Sequence, residues 1–500
     1  MIWDLVINNG TVINGLGEKG KILNVGIKGN RIGIITPIQI FGRETIDATG
    51  LIVAPGFIDV HAHSDMSPFL GKEYISKIIQ GVTTEINGNC GISPTPSSNE
   101  NWKELKKYIE EDFLVYKEDF DYNRMNSIKK LIVETKQNNN RIWSKQEYLI
   151  GAGTLRIAVM GMEERKASVK EIKKMQDLLR REFQEGAIGI SFGLIYPPGN
   201  FSHTEEIESL LEIVKEFDNI ATFHMRDEGK DIFKSVEEVI NFGKKTGAKV
   251  HISHLKIMDQ SLWRTAHQLL EKIYMAQKDG VKISYDQYPY RATSTTLGVL
   301  LPKEEIEKKV YSRGGAEKII IANTCSALRE LEGKTLKVIS ELWNLPISEC
   351  VIKILDISQG RTGAIYFSIN EDDLLEILST KDGIIASDGY AYPLEKKKEL
   401  GIPHPRSFGT FPRFLKIVRE QKNLSLEEAI AKITSIPAKI FNLSERGILR
   451  ENSYADIVIF DYNCIADRAD FINPYQKSIG INYVIVDGKR KIVDNNLEIC

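Results

Sequence analysis

Short apolar runs alternate with amphipathic helical stretches through the middle of the chain. Candidate strands run from Phe57 to His63, Thr83 to Asn87, Tyr148 to Gly151, Ala187 to Phe192, Ile220 to His224, Val250 to His254, Lys282 to Asp286 and Ile384 to Ser387. Helical periodicity covers Val169 to Glu185, Thr204 to Glu216, Ile232 to Thr246 and Ser261 to Lys278. Strands alternating with helices in this way predict an α/β fold, a (β/α)8 TIM barrel. The stretch from Tyr290 to Lys381 is too long for one crossover helix. It predicts an insertion late in the barrel, with a helix near Pro302 to Tyr311 and a strand at Val351 to Leu355.

Both ends have a different texture. Residues 1–55 alternate apolar and polar positions around Asn-Gly and Gly-Asn pairs, and Ala455 to Phe460 and Val484 to Arg490 do the same. These are hairpin signals. They predict a small β-sandwich domain from residues 1–55 plus 445–500, around a barrel of residues 56–444 that carries the insertion at 301–380.

Composition narrows the class. An apolar fraction of 42% and an aromatic fraction of 8% suit a globular enzyme. A net charge of −2 offers no electrostatic footprint for nucleic acid or an anionic membrane. The opening residues lack a signal-peptide pattern, and no apolar stretch reaches spanning length. Cys90, Cys325, Cys350, Cys464 and Cys500 are odd in number and scattered, which fits a reducing cytoplasm better than a disulfide framework.

The chemistry of such a barrel lies at the C-terminal ends of its strands. Side chains alternate along a strand, so Asp59, His61 and His63 are expected on one face. By the same count Val250, Ile252 and His254 form an inward row, with His251 facing the helices, and Ile384, Ala386 and Asp388 align. His61, His63, Cys90, His224, His254 and Asp388 thus fall at five strand ends. Imidazole, thiolate and carboxylate are ligands suited to Zn²⁺. Singly, each has an ordinary structural role open to it: Cys90 as a small buried hydrophobe, Asp388 as a turn residue before Gly389. Jointly they predict a metal site.

Pro55-Gly56-Phe57-Ile58-Asp59-Val60-His61-Ala62-His63 resembles the first-strand signature of the amidohydrolase superfamily. Gly88-Asn89-Cys90-Gly91 is similar to its N-acyl-D-amino-acid deacylase (D-aminoacylase) family. So are Gly193 to Gly199, His224 to Glu228, Ile252 to Lys256, Asp286 to Tyr290, Ser387-Asp388-Gly389 and His404-Pro405-Arg406. The resemblance implies a tight zinc on Cys90, His224 and His254, and a weaker second site from His61, His63 and Asp388 with Cys90 shared. It implies hydrolysis of N-acyl-D-amino acids by metal-bound hydroxide. Asp388 is then the general base and acid, Tyr196 an oxyanion donor, and Arg406 and Tyr288 carry the substrate carboxylate. One departure stands out: the family has Gly-His-Gly where this chain has Gly151-Ala152-Gly153. A cyclic amidase of the dihydroorotase or hydantoinase type needs a ligand near that position, and Ala152 offers none. The same barrel also suits a deacylase specific for acidic D-amino acids, or a non-catalytic scaffold; intact metal ligands and Asp388 argue against the scaffold. The partner expected is a small molecule, with no nucleic acid and no membrane; the sequence leaves oligomeric state open.

Overall fold

The computed structural model describes residues 2–70, 73–112, 126–137, 143–396, 398–493 and 496–497. Cys500 lies outside the described residues. Eight parallel strands form the central sheet: β1 (Phe57–Asp59), β2 (Val82–Asn87), β3 (Lys145–Gly151), β4 (Gly189–Gly193), β5 (Ile220–His224), β6 (Lys249–Ile252), β7 (Ile283–Gln287) and β8 (Ile384–Ile385). They pair in sequence order from β1 to β8. A parallel bridge between Ala62 and Gly389 joins the two ends, just beyond β1 and β8. His63 N donates to Gly389 O at 3.0 Å and Asp388 N to His61 O at 2.8 Å. The seam that closes the barrel therefore runs through three of the candidate ligands.

Helices Val169–Gln184, Thr204–Glu216, Ile232–Thr246 and Ala266–Lys278 cover the sheet. Ser168 and Glu171 make a reciprocal capping box that starts the first of them. Apolar side chains of these helices meet Ile190, Phe192, Ala221, Phe223, Val250 and Ile252. Inside the barrel Ile58, Ile86, Leu149, Ile220 and Ile384 form a separate plug closed by Phe441. Val250 and Ile252 therefore face the helices, the reverse of the expected parity.

Both chain ends share one nine-stranded mixed sheet. Its inner junction is the antiparallel pairing of Ile457–Phe460 with Ile52–Pro55, directly before β1. Between β7 and β8, strands Thr293–Thr296, Ile319–Asn323 and Gly363–Tyr366 form a three-stranded sheet with its own apolar core. The expected strand at Val351 to Leu355 is instead part of the helix Ile347–Ser358. Its buried positions, Cys350, Val351, Ile354, Leu355 and Ser358, follow a helical period, and Pro346 starts it. Among the described residues no helix is long and apolar enough to cross a membrane. Cys90, Cys325, Cys350 and Cys464 are free thiols.

Candidate metal centre

The loop after β2 carries Cys90 and is threaded tightly between strands. Gly88 and Gly91 both have positive φ. A Cβ on Gly88 would lie 2.1 Å from Leu149 O, and one on Gly91 2.6 Å from Gly193 N. Only glycine fits at either place. Asn89 donates to Ile86 O at 2.9 Å, and Gly91 N to Ser191 Oγ at 2.9 Å. Cys90 itself sits at φ 53, His254 at φ 37 and Asp388 at φ 49. Non-glycine residues seldom adopt this region, and they gather at functional sites when they do. The left-handed turn at His254 breaks the alternation of β6 and brings this ring inward although Val250 and Ile252 point outward. His251 is also inward: its ring meets Phe441 and its Nε2 lies 2.8 Å from Asp286 Oδ2.

Two groups of donor atoms result. His61, His63, Cys90 and Asp388 each place one ligand atom within 4.8 Å of the others, and so do Cys90, His224 and His254. Cys90 is common to both. Its Sγ lies 3.3 Å from His61 Nε2 and 3.7 Å from His254 Nε2. His254 Nε2 is 3.1 Å from His224 Nδ1. His63 Nε2 is 3.2 Å and His61 Nε2 3.4 Å from Asp388 Oδ1. Lone pairs of nitrogen, sulfur and oxygen converge here, and a cation is the group that satisfies such a set. All six expected ligands are thus brought together, and the donor set fits a metal ion.

Asp59 is not with them. β1 stops at Asp59, and its Oδ2 accepts from Lys77 Nζ at 2.7 Å and from the Ser387 hydroxyl at 2.5 Å. Ser387 N donates to Asp59 Oδ1 at 2.9 Å. Lys77 also donates to Ser387 Oγ. This buried pair clamps the turn that presents Asp388.

The outer ring of partners sets ring orientation and charge. Asp286 accepts from His251, lies 3.4 Å from His61 Nδ1 and takes His254 N at 2.9 Å. Burial opposes its ionisation, but His61 and His251 hold the carboxyl well below the usual range. Glu228 Oε1 is 2.8 Å from His254 Nδ1 and is paired with Lys256 Nζ at 2.7 Å. With Nδ1 engaged by Glu228 and Lys256, Nε2 is the nitrogen of His254 that faces Cys90 and His224. Burial drives the pKa of His63 down to about 4 and that of His224 well below its ordinary value, which favours the neutral imidazole that a metal requires. For Asp388, burial opposes ionisation, but Arg406, His61 and His254 keep the carboxyl well below the ordinary range. Arg406 Nη1 lies 2.7 Å from Asp388 Oδ2. Neither the Lys77–Asp59 pair nor the Glu228–Lys256 pair was expected. Their signal is a charged residue inside an apolar run, as in Ile75-Ser76-Lys77-Ile78-Ile79, or two residues past a candidate ligand, as in His254-Leu255-Lys256.

A cleft opens above these atoms, lined by His63, Cys90, Tyr196, His224, His254, Asp388 and Arg406, and by Thr293 to Thr296 of the three-stranded sheet. Tyr196 lies edge-on to His224, ring centroids 4.9 Å apart, and its hydroxyl is 2.8 Å from Thr295 Oγ1. Tyr288 is fully buried, its ring 4.8 Å from the Arg406 guanidinium carbon. Ala152 opens the helix Ala152–Met160, its side chain in the core between helices and sheet.

A family model described as "Amidohydrolase family" matches residues 44–286 and 401–491. The chain belongs to the amidohydrolase family. Within it, this amidohydrolase is 34% identical over 490 residues to a D-aminoacylase of Alcaligenes xylosoxydans xylosoxydans, covering 97% of this chain and 94% of that protein. The crystal structure of an N-acyl-D-glutamate deacylase from Bordetella bronchiseptica matches with a TM-score of 0.87 and 30% identity, over 98% of this chain and 96% of the other. That structure holds zinc and a phosphonate inhibitor, a mimic of the reaction's tetrahedral intermediate. A D-aminoacylase structure with a binuclear metal centre matches with a TM-score of 0.86 and 31% identity, over 99% of this chain and 98% of that one. The relatives place this amidohydrolase in the D-aminoacylase branch, as its motifs predict.

Proposed function

We propose that this amidohydrolase cleaves the amide bond of N-acyl-D-amino acids, giving a carboxylate and a free D-amino acid, with zinc as cofactor. The observation that carries the reading is the pair of donor groups joined at Cys90 beneath an open cleft. Cys90, His224 and His254 would hold the tight ion. His61, His63 and Asp388, with Cys90 shared, would hold a weaker one. When bound, zinc supplies a Lewis acid that lowers the pKa of water to ~7 and polarises a carbonyl.

The protein's own groups do the rest. Asp388 is ionised and takes the proton of the attacking water as the new C–O bond forms. It returns that proton to the amide nitrogen as the C–N bond breaks, so the amine leaves neutral. Tyr196 donates to the developing oxyanion. Arg406, its guanidinium over the Tyr288 ring, receives the α-carboxylate. Carboxylate, acyl carbonyl and side chain are then three fixed points, which distinguish a D- from an L-substrate. The test is amine release from N-acetyl-D-methionine against its L-enantiomer. Release from the D-form alone is expected; equal release, or none from any N-acyl-D-amino acid, removes the reading.

A further inference from the structure

The insertion brings one more cation to the cleft. Arg313 follows the helix Ile306–Ser312 and lines the cleft beside Val299, Thr362 and Gly363. Two other cationic side chains line it, and each has a carboxylate: Arg406 has Asp388 and Lys256 has Glu228. Among the described residues Arg313 has none. Its Nη1 donates to Lys309 O at 3.0 Å, and its guanidinium carbon is 6.0 Å from the Tyr366 ring centroid. Its Nε is buried and makes no hydrogen bond. A buried donor without an acceptor is costly, and a guanidinium edge suits a carboxylate in bidentate geometry.

One strand links Arg313 to the proposed α-carboxylate position. Ser294 O accepts from Arg406 at 3.2 Å. Two residues on, roughly 7 Å along the strand, Thr296 O accepts from the hydroxyl of Tyr366 at 3.1 Å, and it is the Tyr366 ring that faces Arg313. We infer that Arg313 reads a second carboxylate, on the substrate's side chain, so that the preferred substrates are N-acyl derivatives of acidic D-amino acids. This rests on the deacylase reading of the cleft. A site built to pair a polar group discriminates against the analogue that lacks it, because its own donor is then left unpaired.

The experiment compares kcat/KM for N-acetyl-D-glutamate, N-acetyl-D-aspartate, N-acetyl-D-glutamine and N-acetyl-D-methionine in the zinc-loaded wild type and in Arg313→Met. The wild type is expected to favour an acidic substrate, whose chain length the panel identifies. Arg313→Met should lose about 10- to 100-fold on that substrate, the range for a hydrogen bond to a charged group. Its activity on D-methionine should stay near wild type, which also shows the variant to be folded. No acidic preference in the wild type, or equal loss on acidic and neutral substrates, overturns the inference and leaves the deacylase reading standing. No turnover of any N-acyl-D-amino acid overturns both.

Discussion

Arg406 and Asp388 form a buried ion pair, Nη1 to Oδ2 2.7 Å, at the seam where the barrel closes. The pair links the group proposed to bind the α-carboxylate to the group proposed to move the proton. Arg406→Lys keeps the charge but loses the planar fork. It should lower kcat/KM for N-acyl-D-amino acids by about 10-fold or more, and affect the corresponding amides, which lack the carboxylate, much less. Equal losses for acids and amides would show that Arg406 holds the loop and does not read the carboxylate.

Asp388→Asn nearly preserves shape while removing the proton acceptor. Turnover should fall by ~10²–10⁴-fold, the usual contribution of a general acid–base group, in a protein with unchanged circular dichroism and zinc on Cys90, His224 and His254. Near-normal turnover in that variant would take Asp388 out of the chemistry.

Lys77 is fully enclosed with Asp59, and together they hold Ser387 next to Asp388. Removing one member of a buried pair leaves the other uncompensated, at a cost of about 3–5 kcal/mol. Lys77→Met should therefore lower the urea midpoint sharply. In the fraction that folds, kcat should drop with little change in KM, because the displaced group is Asp388 and the binding wall is intact. Wild-type stability and kcat together would contradict the clamp.

Much of this was legible in the sequence, and the failures have physical causes. Ile220–His224 and Thr204–Glu216 were readable to the residue, because buried strands and amphipathic helices carry strong periodic signals. The run at Val351 misled because apolar β-branched residues suit either a buried strand or a buried helix face. The parity of β6 misled for another reason. A parallel strand packed on both sides is apolar on its outer face, so Val250 and Ile252 mark the helix side. His254 reaches the interior only through its positive φ, which alternation cannot foresee. The six candidate ligands were legible as chemistry at strand ends. Lys77, Asp286, Glu228 and Lys256 were not, because a buried charge shows its meaning only beside its partner.

Lys432 offers a test of packing away from the cleft. It is fully buried, and its Nζ donates to Leu378 O at 2.9 Å and to Thr380 O. Burial, partly offset by Asp382 and Glu428, pushes its pKa down to about 7, against ~10.4 in an unfolded chain. Between these values the unfolded state binds more protons, so this residue makes stability rise with pH from about 7 to 10. Urea midpoints at pH 7 and pH 9.5 should show that rise in the wild type and a flatter response in Lys432→Met. An identical slope in both would mean that Lys432 stays charged in the folded protein.

Cys90 is the one residue shared by both donor groups among the described residues. The decisive measurement is the zinc content of Cys90→Ala against wild type, after equilibration with zinc and removal of excess, with turnover recorded on the same samples. A tightly held ion and activity are expected in the wild type, and loss of both in a Cys90→Ala protein that keeps its circular dichroism. Wild-type zinc content with undiminished turnover in Cys90→Ala would contradict it.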